Sequence, residues 1–165
     1  MNDILLITVD DIKEVTSISK NIQPDLLEPY ILVAEEFYVY PILGQALVSE
    51  IKNQLTGNTL TKDNINLLNG YIKRLVAYGA WEQYLPFSAS KTTQKGEQIL
   101  NSNFSQSVDA QTFSTKRQNL KSQVTIYQSR LQRFLNQNET TYPLYRRTCG
   151  NSGLTNGYGT GIYLG

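Results

Sequence analysis

Residues 109–138, DAQTFSTKRQNLKSQVTIYQSRLQRFLNQN, carry the longest helical pattern in the chain. Apolar residues recur there mostly at spacings of three and four, which is the period of one helix face. They are Phe113, Leu120, Val124, Tyr127, Leu131, Phe134 and Leu135. Asp109 can cap the start and Asn136 begins a polar end. A helix of about 25 residues would be about 38 Å long at a rise of 1.5 Å per residue.

Two further helices are indicated in the first third of the chain. Thr8, followed by an acidic turn, predicts the N-cap of a short helix that ends near Val15. Pro24 opens a second helix with an apolar stripe, and Pro41 is expected to end or kink it. The stripe consists of Leu27, Tyr30, Ile31, Ala34, Phe37 and Tyr38, whereas Glu28, Glu35 and Glu36 are predicted to lie off it.

The middle of the chain predicts two more helices. One ends near Gly57, and the other begins at Thr61 and ends before Pro86. The apolar stripe of the second comprises Ile65, Leu68, Ile72, Leu75, Val76 and Gly79. Gly70 and Gly79 each cost about 1 kcal/mol in a helix interior, so we expect both to permit close helix approach.

These patterns predict an all-α fold, a bundle of four to five helices in one domain over residues 1–141. A chain of 165 residues is long enough to bury a substantial core. Residues 142–165 are expected to form a separate, extended, glycine-rich C-terminal arm.

Residues 88–107 break the helical pattern with a polar segment, SASKTTQKGEQILNSNFSQS. It is either a β-hairpin that pairs Thr92–Gln94 with Gln98–Leu100 or an irregular loop, and a connection of this length usually has a function or moves. As a projecting segment it is a candidate contact between subunits. The residues that would make this contact are Lys91, Lys95, Gly96 and Ile99.

The C-terminal segment YPLYRRTCGNSGLTNGYGTGIYLG holds six of the eleven glycines and no acidic residue. Its large apolar groups are unusual for a solvated terminus, and alternating ones suit strand addition to a partner. The candidate partner-binding residues are Tyr142, Leu144, Tyr145, Arg146, Arg147, Leu154, Tyr158, Ile162, Tyr163 and Leu164. The alternatives are a segment that folds back over its own bundle and one that stays unstructured.

Charge is divided along the chain although its net value is only +1. Residues 1–60 carry nine acids and three bases, whereas residues 110–165 carry seven bases and one acid. The two ends either neutralise each other inside one fold or meet between copies in a head-to-tail contact, which closes into a ring when the rotation allows.

Catalytic chemistry has little support in the composition. The chain has no histidine and a single cysteine, Cys149, so the commonest general base and the usual nitrogen and thiolate metal ligands are missing. No phosphate-binding glycine loop in a strand-to-helix context is present. Asp10, Asp11 and Glu14, or Glu28 with Glu35, are the candidate acids, but solvated helix faces are by far the more frequent explanation of such groups. We expect no enzyme activity, no cofactor and no metal.

Basic residues recur along the last helix and predict a surface for a neighbouring subunit or for nucleic-acid phosphates. They are Lys116, Arg117, Lys121, Arg130 and Arg133. The N-terminus lacks the basic region of a signal peptide, no run of about 20 apolar residues predicts a membrane helix, and the single cysteine fits a reducing cytoplasm. No membrane partner is expected.

The segments IQPDLLEPYILVAEEFYVYPILGQAL, SKTTQKGEQ and FLNQNETTYPLYRR together resemble head–tail connector (ring or adaptor) proteins of tailed bacteriophages, in particular those of crAss-like phages infecting Bacteroidetes. The resemblance covers residues 8–147 and rests on the order of these patterns. The glycine-rich tail after Arg147 lies outside it.

The resemblance implies a helical virion protein that assembles in the host cytoplasm into a homo-oligomeric ring, typically twelvefold, beneath the portal. Such a ring extends the DNA channel without sequence-specific contact and joins the portal to adjacent tail or ring proteins. It implies no catalysis and no cofactor. The alternative function is a nucleic-acid-binding adaptor that uses the basic face of the last helix.

Overall fold

The computed structural model describes residues 4–88, 90–93, 96–99 and 110–145 of the chain. In chain order its elements are α1 (Val9–Val15), α2 (Pro24–Ala34), a first π-helical turn (Glu35–Val39), α3 (Tyr40–Thr56), α4 (Lys62–Leu67), a second π-helical turn (Leu68–Ile72), α5 (Lys73–Tyr84), a 3₁₀ turn (Leu85–Phe87), β1 (Ser90–Thr93), β2 (Gly96–Ile99) and α6 (Ala110–Gln137). The protein is mostly helical, so the predicted all-α class is confirmed.

Both helix starts predicted from threonines are confirmed. The hydroxyl of Thr8 accepts the backbone N–H of Asp11 at 3.2 Å, and the Asp11 carboxylate accepts the N–H of Thr8 at 2.7 Å, which completes a capping box at α1. Thr61 caps α4 by accepting the N–H of Asn64 at 3.3 Å. Each cap satisfies backbone donors that the first helical turn leaves without partners.

The chain continues from α2 into α3 without ending at Pro41. The N–H of Tyr40 donates to the carbonyl of Glu35, which closes the wider π-helical turn just before the proline. The kink lies at Gly44 instead, where φ is 77° and ψ is 158°. Glycine adopts this backbone conformation without the steric cost that a side chain would add.

Helix α5 is the central element of the bundle. One side faces α1 and α2, where Lys73 forms an ion pair with a carboxylate of α1 at 2.7 Å and the ring of Tyr84 lies 5.4 Å from that of Tyr30. Another side faces α6, where the rings of Tyr78 and Tyr127 are 5.2 Å apart. The acid-rich helices α1 and α2 and the base-rich helix α6 therefore pack on different sides of α5.

The core is built from aliphatic side chains of all six helices. The largest fully buried ones are Ile12, Leu27, Ile31, Leu43, Ile51, Leu67, Ile72, Leu75, Leu131 and Leu135. Removing each of them from water contributes about 1.5–3 kcal/mol. Helix α6 supplies Leu120, Val124, Leu131 and Leu135, which confirms its predicted apolar stripe. With 28 residues, α6 is about 42 Å long.

The stripe predicted for α4 and α5 is wrong at its first position. Ile65 is 44% exposed, and Leu67 is buried in its place. The second π-helical turn explains the difference, because its extra residue shifts the apolar period between α4 and α5. Gly79 does lie at a close helix approach, but Gly70 is exposed and has only the Asn66 amide oxygen near it, so that expectation was wrong for Gly70.

The segment after the 3₁₀ turn forms an antiparallel hairpin of β1 and β2. Thr92 pairs with Glu97 and Lys91 with Gln98, so the predicted register was wrong. The observed register leaves two residues between the strands, which is the commonest hairpin connection. Lys91 and Ile99 belong to the strands and Gly96 begins β2, whereas Lys95 lies outside the described residues.

The bundle extends past the predicted domain boundary at residue 141. Tyr142 and Tyr145 are only 3% and 6% exposed. The hydroxyl of Tyr142 donates to the carbonyl of Asp63 at 2.8 Å, and that of Tyr145 donates to the side-chain oxygen of Asn136 at 2.7 Å. These two tyrosines are therefore part of the bundle rather than of an arm, because their rings pack and their hydroxyls find polar partners at its surface.

The helical run Pro24–Thr56 is long and apolar enough, by length and composition, to cross a membrane. The sequence reading did not anticipate this. In the fold, one side of the run packs on α5, and the run contains the buried carboxylate of Glu35 and the kink at Gly44. These are properties of a core helix, which passes the same test of length and composition.

Candidate functional site

Two buried carboxylates hold the bundle together. Glu35 is fully buried in the first π-helical turn, although it was predicted to lie off the apolar stripe. One of its oxygens accepts the backbone N–H of Leu6 at 2.6 Å, and the other lies 2.7 Å from Nζ of Lys52. Burial is the largest single influence on the pKa of Lys52 and would lower it, but the hydrogen bond and charge attraction to Glu35, together with Tyr40, raise this pKa overall. The pair joins the N-terminal segment, the π-helical turn and α3.

The second buried carboxylate, Glu82, joins α5 to its neighbours on the α6 side. It accepts the Tyr38 hydroxyl at 3.0 Å, the Gln83 amide at 2.8 Å and Nε of Arg117 at 3.3 Å. Burial raises the pKa of Tyr38, and the nearby carboxylate adds to this effect. Each network includes a residue of the first π-helical turn, Glu35 in one and Tyr38 in the other. This turn therefore holds α3 and α6 in position relative to each other.

Of the carboxylates considered for catalysis, Asp11 and Glu14 meet at Lys73, and Glu28 lies apart from Glu35. Asp11 caps α1 and pairs with Lys73; burial opposes ionisation there, but the bonds to Lys73 and Thr8 lower its pKa overall. Glu14 also pairs with Lys73, at 2.8 Å, and Glu28 is exposed on α2, apart from the buried Glu35. Within the described parts of the chain, no group of three or more Cys, Asp or Glu side chains could hold a metal ion.

A groove of about 860 Å³ separates the N-terminal segment and α1 from α2. Six apolar residues line it: Leu5, Ile7, Val9, Pro24, Pro29 and Leu32. Three carboxylates also line it, those of Asp10, Asp25 and Glu28. We call this feature the acidic groove. Its size lies within the range of ligand-binding pockets, about 300–1,000 Å³.

A smaller pocket of about 230 Å³ lies between the second π-helical turn, α5 and α6. Arg74 and Arg130 line it together with Tyr71, Tyr127 and two smaller residues of the α4–π-helical segment. The Arg130 guanidinium lies 5.7 Å from the centre of the Tyr127 ring. Neither arginine forms an ion pair within residues 4–88 and 110–145. We call this feature the arginine pocket.

The basic residues predicted on α6 are all exposed but serve different purposes. Arg117 pairs with Glu82, and Nζ of Lys116 lies 5.3 Å from the centre of the Trp81 ring. Arg130 lines the arginine pocket, whereas Lys121 and Arg133 lie on the exposed side of α6. The predicted single basic face is therefore divided, because part of it stabilises the bundle through charge and ring contacts.

Most residues predicted for the C-terminal arm are outside the part of the chain that the structure describes. They are Arg146, Arg147, Leu154, Tyr158, Ile162, Tyr163 and Leu164. Leu144 is described and is 39% exposed between the two buried tyrosines. Of the three predicted arm residues that the structure describes, Tyr142, Leu144 and Tyr145, Leu144 is the one that presents a large apolar surface.

Sequence reasoning missed Arg74 and the walls of the acidic groove. Asn66, Gly70 and Arg74 recur every four residues, a spacing that places them along one helix face. That signal was readable, but the partner face on α6 was not, because helix pairing depends on residues distant in sequence. The acidic groove gives no local signal, since its walls come from two separate segments.

Comparison with known proteins gives one match. The model of a family of unknown function (DUF6712) matches residues 39–153, more than half of the chain. No curated protein and no solved structure matches the chain. The matched range includes the arginine pocket and α6, whereas the residues that line the acidic groove precede it.

Proposed function

Because the chain belongs to a family of unknown function (DUF6712), we propose its role from its own surfaces: it is a structural subunit that assembles with copies of itself into a ring. We infer from the resemblance to phage head–tail connectors that this ring would lie in the virion, between the portal and the tail, around the channel through which DNA passes. In this proposal the protein is not an enzyme and needs no cofactor.

The observation that carries the proposal is the separation of charge across the bundle. The exposed acids Asp10, Asp25, Glu28 and Glu36 belong to α1, α2 and the first π-helical turn, whereas Lys121 and Arg133 are exposed on α6. These elements pack on different sides of α5. A surface that is acidic on one side and basic on another favours a head-to-tail contact, which repeats around a closed ring.

Two non-helical segments would extend the contact beyond the bundle. The β1–β2 hairpin carries Lys91 and Ile99, and the arm proposed here begins after Tyr145 rather than at Tyr142. The portal and the adjacent tail or ring proteins are the further partners in this proposal. Hydrophobic anchors within a polar rim are the usual arrangement of such interfaces.

Charge reversal on α6 tests the ring. We expect the double variant Lys121→Glu/Arg133→Glu to stay monomeric where the unmodified chain forms a closed oligomer, because like charges would then face each other. Native mass spectrometry and light scattering measure the particle mass. The matched control Lys20→Glu/Lys62→Glu changes net charge equally on exposed lysines that do not belong to α6 and should still assemble. An unmodified chain that remains monomeric at high concentration contradicts the proposal.

The arginine pocket favours a second candidate function, a nucleic-acid-binding adaptor. Two guanidinium groups that line one small pocket repel each other, and a phosphate placed between them would relieve this repulsion. The adjoining Tyr71 and Tyr127 rings offer surfaces on which an unpaired base could stack. DNA passing through a ring would need only phosphate contacts of this kind.

DNA affinity measured against salt concentration tests this candidate. We expect the slope of log K against log salt to fall by about 2 in the variant Arg74→Gln/Arg130→Gln, because each lost phosphate contact removes about 0.9. Lys20→Gln/Lys62→Gln is the control and should leave the slope unchanged. Equal slopes for both variants and the unmodified chain would exclude the pocket as a phosphate site.

A further inference from the structure

The acidic groove combines an apolar interior with a negatively charged edge. The half-buried Leu5 and Leu32 supply aliphatic surface beside the buried Ile7 and Val9, and two prolines stiffen the α2 wall. Pro29 has no N–H to donate to the carbonyl of Asp25, so this carbonyl lacks its usual helical partner in the wall of the groove. A ligand for this groove should therefore combine large apolar side chains, backbone donors and positive charge.

Residues 146–165 of the same sequence have this composition. They contain Arg146 and Arg147 but no acid, and they carry Leu154, Tyr158, Ile162, Tyr163 and Leu164. The charged side chains that line the groove have the opposite sign, since all three of them, Asp10, Asp25 and Glu28, are acidic. The two segments are complementary in charge, and the apolar residues of one match the apolar walls of the other.

We propose that the acidic groove of one copy binds residues 146–165 of a neighbouring copy, with the arginines at the carboxylate edge and the apolar residues inside. This inference rests on the proposed ring and names the contact that would close it. Apolar burial would supply most of the affinity, and the charged edge would fix the direction of the bound segment.

The fold favours the groove of a neighbour over the chain's own groove. Tyr145 is held against Asn136 at the end of α6, whereas the groove lies between α1 and α2, which pack on a different side of α5. Twenty residues span at most about 70 Å when extended, which is ample for a neighbour in a ring. Binding to its own groove would require the segment to run around the bundle first.

Site-specific photo-crosslinking tests the proposal on the full chain. A photoreactive amino acid replaces Tyr158, and equal amounts of ¹⁴N- and ¹⁵N-labelled chains are mixed, dissociated and reassembled. We expect crosslinked peptides that join position 158 to residues 5–10 or 24–32, half of them with mixed isotopes. Crosslinks to other surfaces, or crosslinks to the groove only within one isotope, would overturn the proposal.

Charge exchange provides an independent measurement. Glu28→Lys should raise the concentration of half-maximal assembly about tenfold, because facing like charges cost at least 1.4 kcal/mol. Adding Arg146→Glu/Arg147→Glu to this variant should restore assembly. The control Asp63→Lys removes an exposed acid of α4 that lies outside the groove, and it should change assembly less than threefold. If Glu28→Lys behaves as the control does, or if the exchange fails to rescue, the groove is not the docking site.

These measurements also separate the two proposals. If the unmodified chain forms no oligomer, both the ring and the docking site are wrong. If it forms a closed oligomer whose crosslinks avoid the groove, the ring stands and only the assignment of the groove fails.

Discussion

Replacing Glu35 with alanine is expected to lower the free energy of unfolding by about 2–4 kcal/mol. The substitution leaves the Leu6 N–H without its acceptor and Lys52 without its counter-ion, and the Lys52 side chain is only 17% exposed. A buried donor and a largely buried charge would then both lack partners, which costs more than the pair itself contributes. Urea denaturation followed by Trp81 fluorescence measures the change.

The neighbouring residue provides a matched control for this prediction. Glu36 lies in the same π-helical turn but is exposed, so Glu36→Ala should change the free energy of unfolding by less than about 0.5 kcal/mol. The variant Glu35→Gln keeps an acceptor for Leu6 and should fall between the two. Equal urea midpoints for Glu35→Ala and Glu36→Ala would show that the buried network does not stabilise the bundle.

Gly79→Ala is the second substitution expected to have a large effect. A Cβ atom at this position would lie 2.6 Å and 2.8 Å from two carbons of the Tyr38 ring and 3.2 Å from Cβ of Ala34. The ring cannot move away easily, because its hydroxyl is bonded to Glu82 and Gln83. We expect overpacking to lower the free energy of unfolding by about 1–3 kcal/mol in spite of the better helix propensity of alanine.

Gly70→Ala is the control, with an expected change of the opposite sign. The only atom near its added Cβ would be the Asn66 side-chain oxygen at 3.7 Å, so helix propensity should raise the free energy of unfolding by up to about 1 kcal/mol. Thermal denaturation by circular dichroism compares both variants directly. A stabilised Gly79→Ala protein would mean that α2 and α5 pack less closely than the structure indicates.

Both predictions concern the first π-helical turn, which joins several elements of the fold. Glu35 reaches the N-terminal segment and α3, while Tyr38 reaches α5 and, through Glu82, Arg117 of α6. Polar contacts of this kind specify one arrangement of helices more sharply than aliphatic packing does. A rigid arrangement would suit the proposed ring subunit, whose acidic and basic surfaces would have to meet those of neighbours in a fixed geometry.

Local features of the fold were predictable from residue types. Thr8 and Thr61 cap helices because their hydroxyls reach the backbone donors three residues later, and neither bond depends on the rest of the chain. The stripe of α6 was equally readable, since 28 regular residues give the helical period many repeats. The separation of charge along the chain can also be read directly from the order of the residues.

Features that depend on two distant segments were not predictable in this way. Glu35 was assigned to an exposed face, because no residue near it in sequence indicates that it contacts Lys52 and the Leu6 N–H. Tyr142 and Tyr145 were assigned to an arm, because their acceptors on Asp63 and Asn136 meet them only after folding.

Short-range order in this protein thus follows from hydrogen bonds and apolar spacing within a few residues, for which the amino-acid sequence is sufficient. The choice of which helices pair, which charges become buried and where grooves form depends on contacts between residues far apart in the chain. Such contacts depend on how the helices pack and on the π-helical turns, which change the direction of the helix faces. Neither the packing nor these turns can be inferred from one segment at a time.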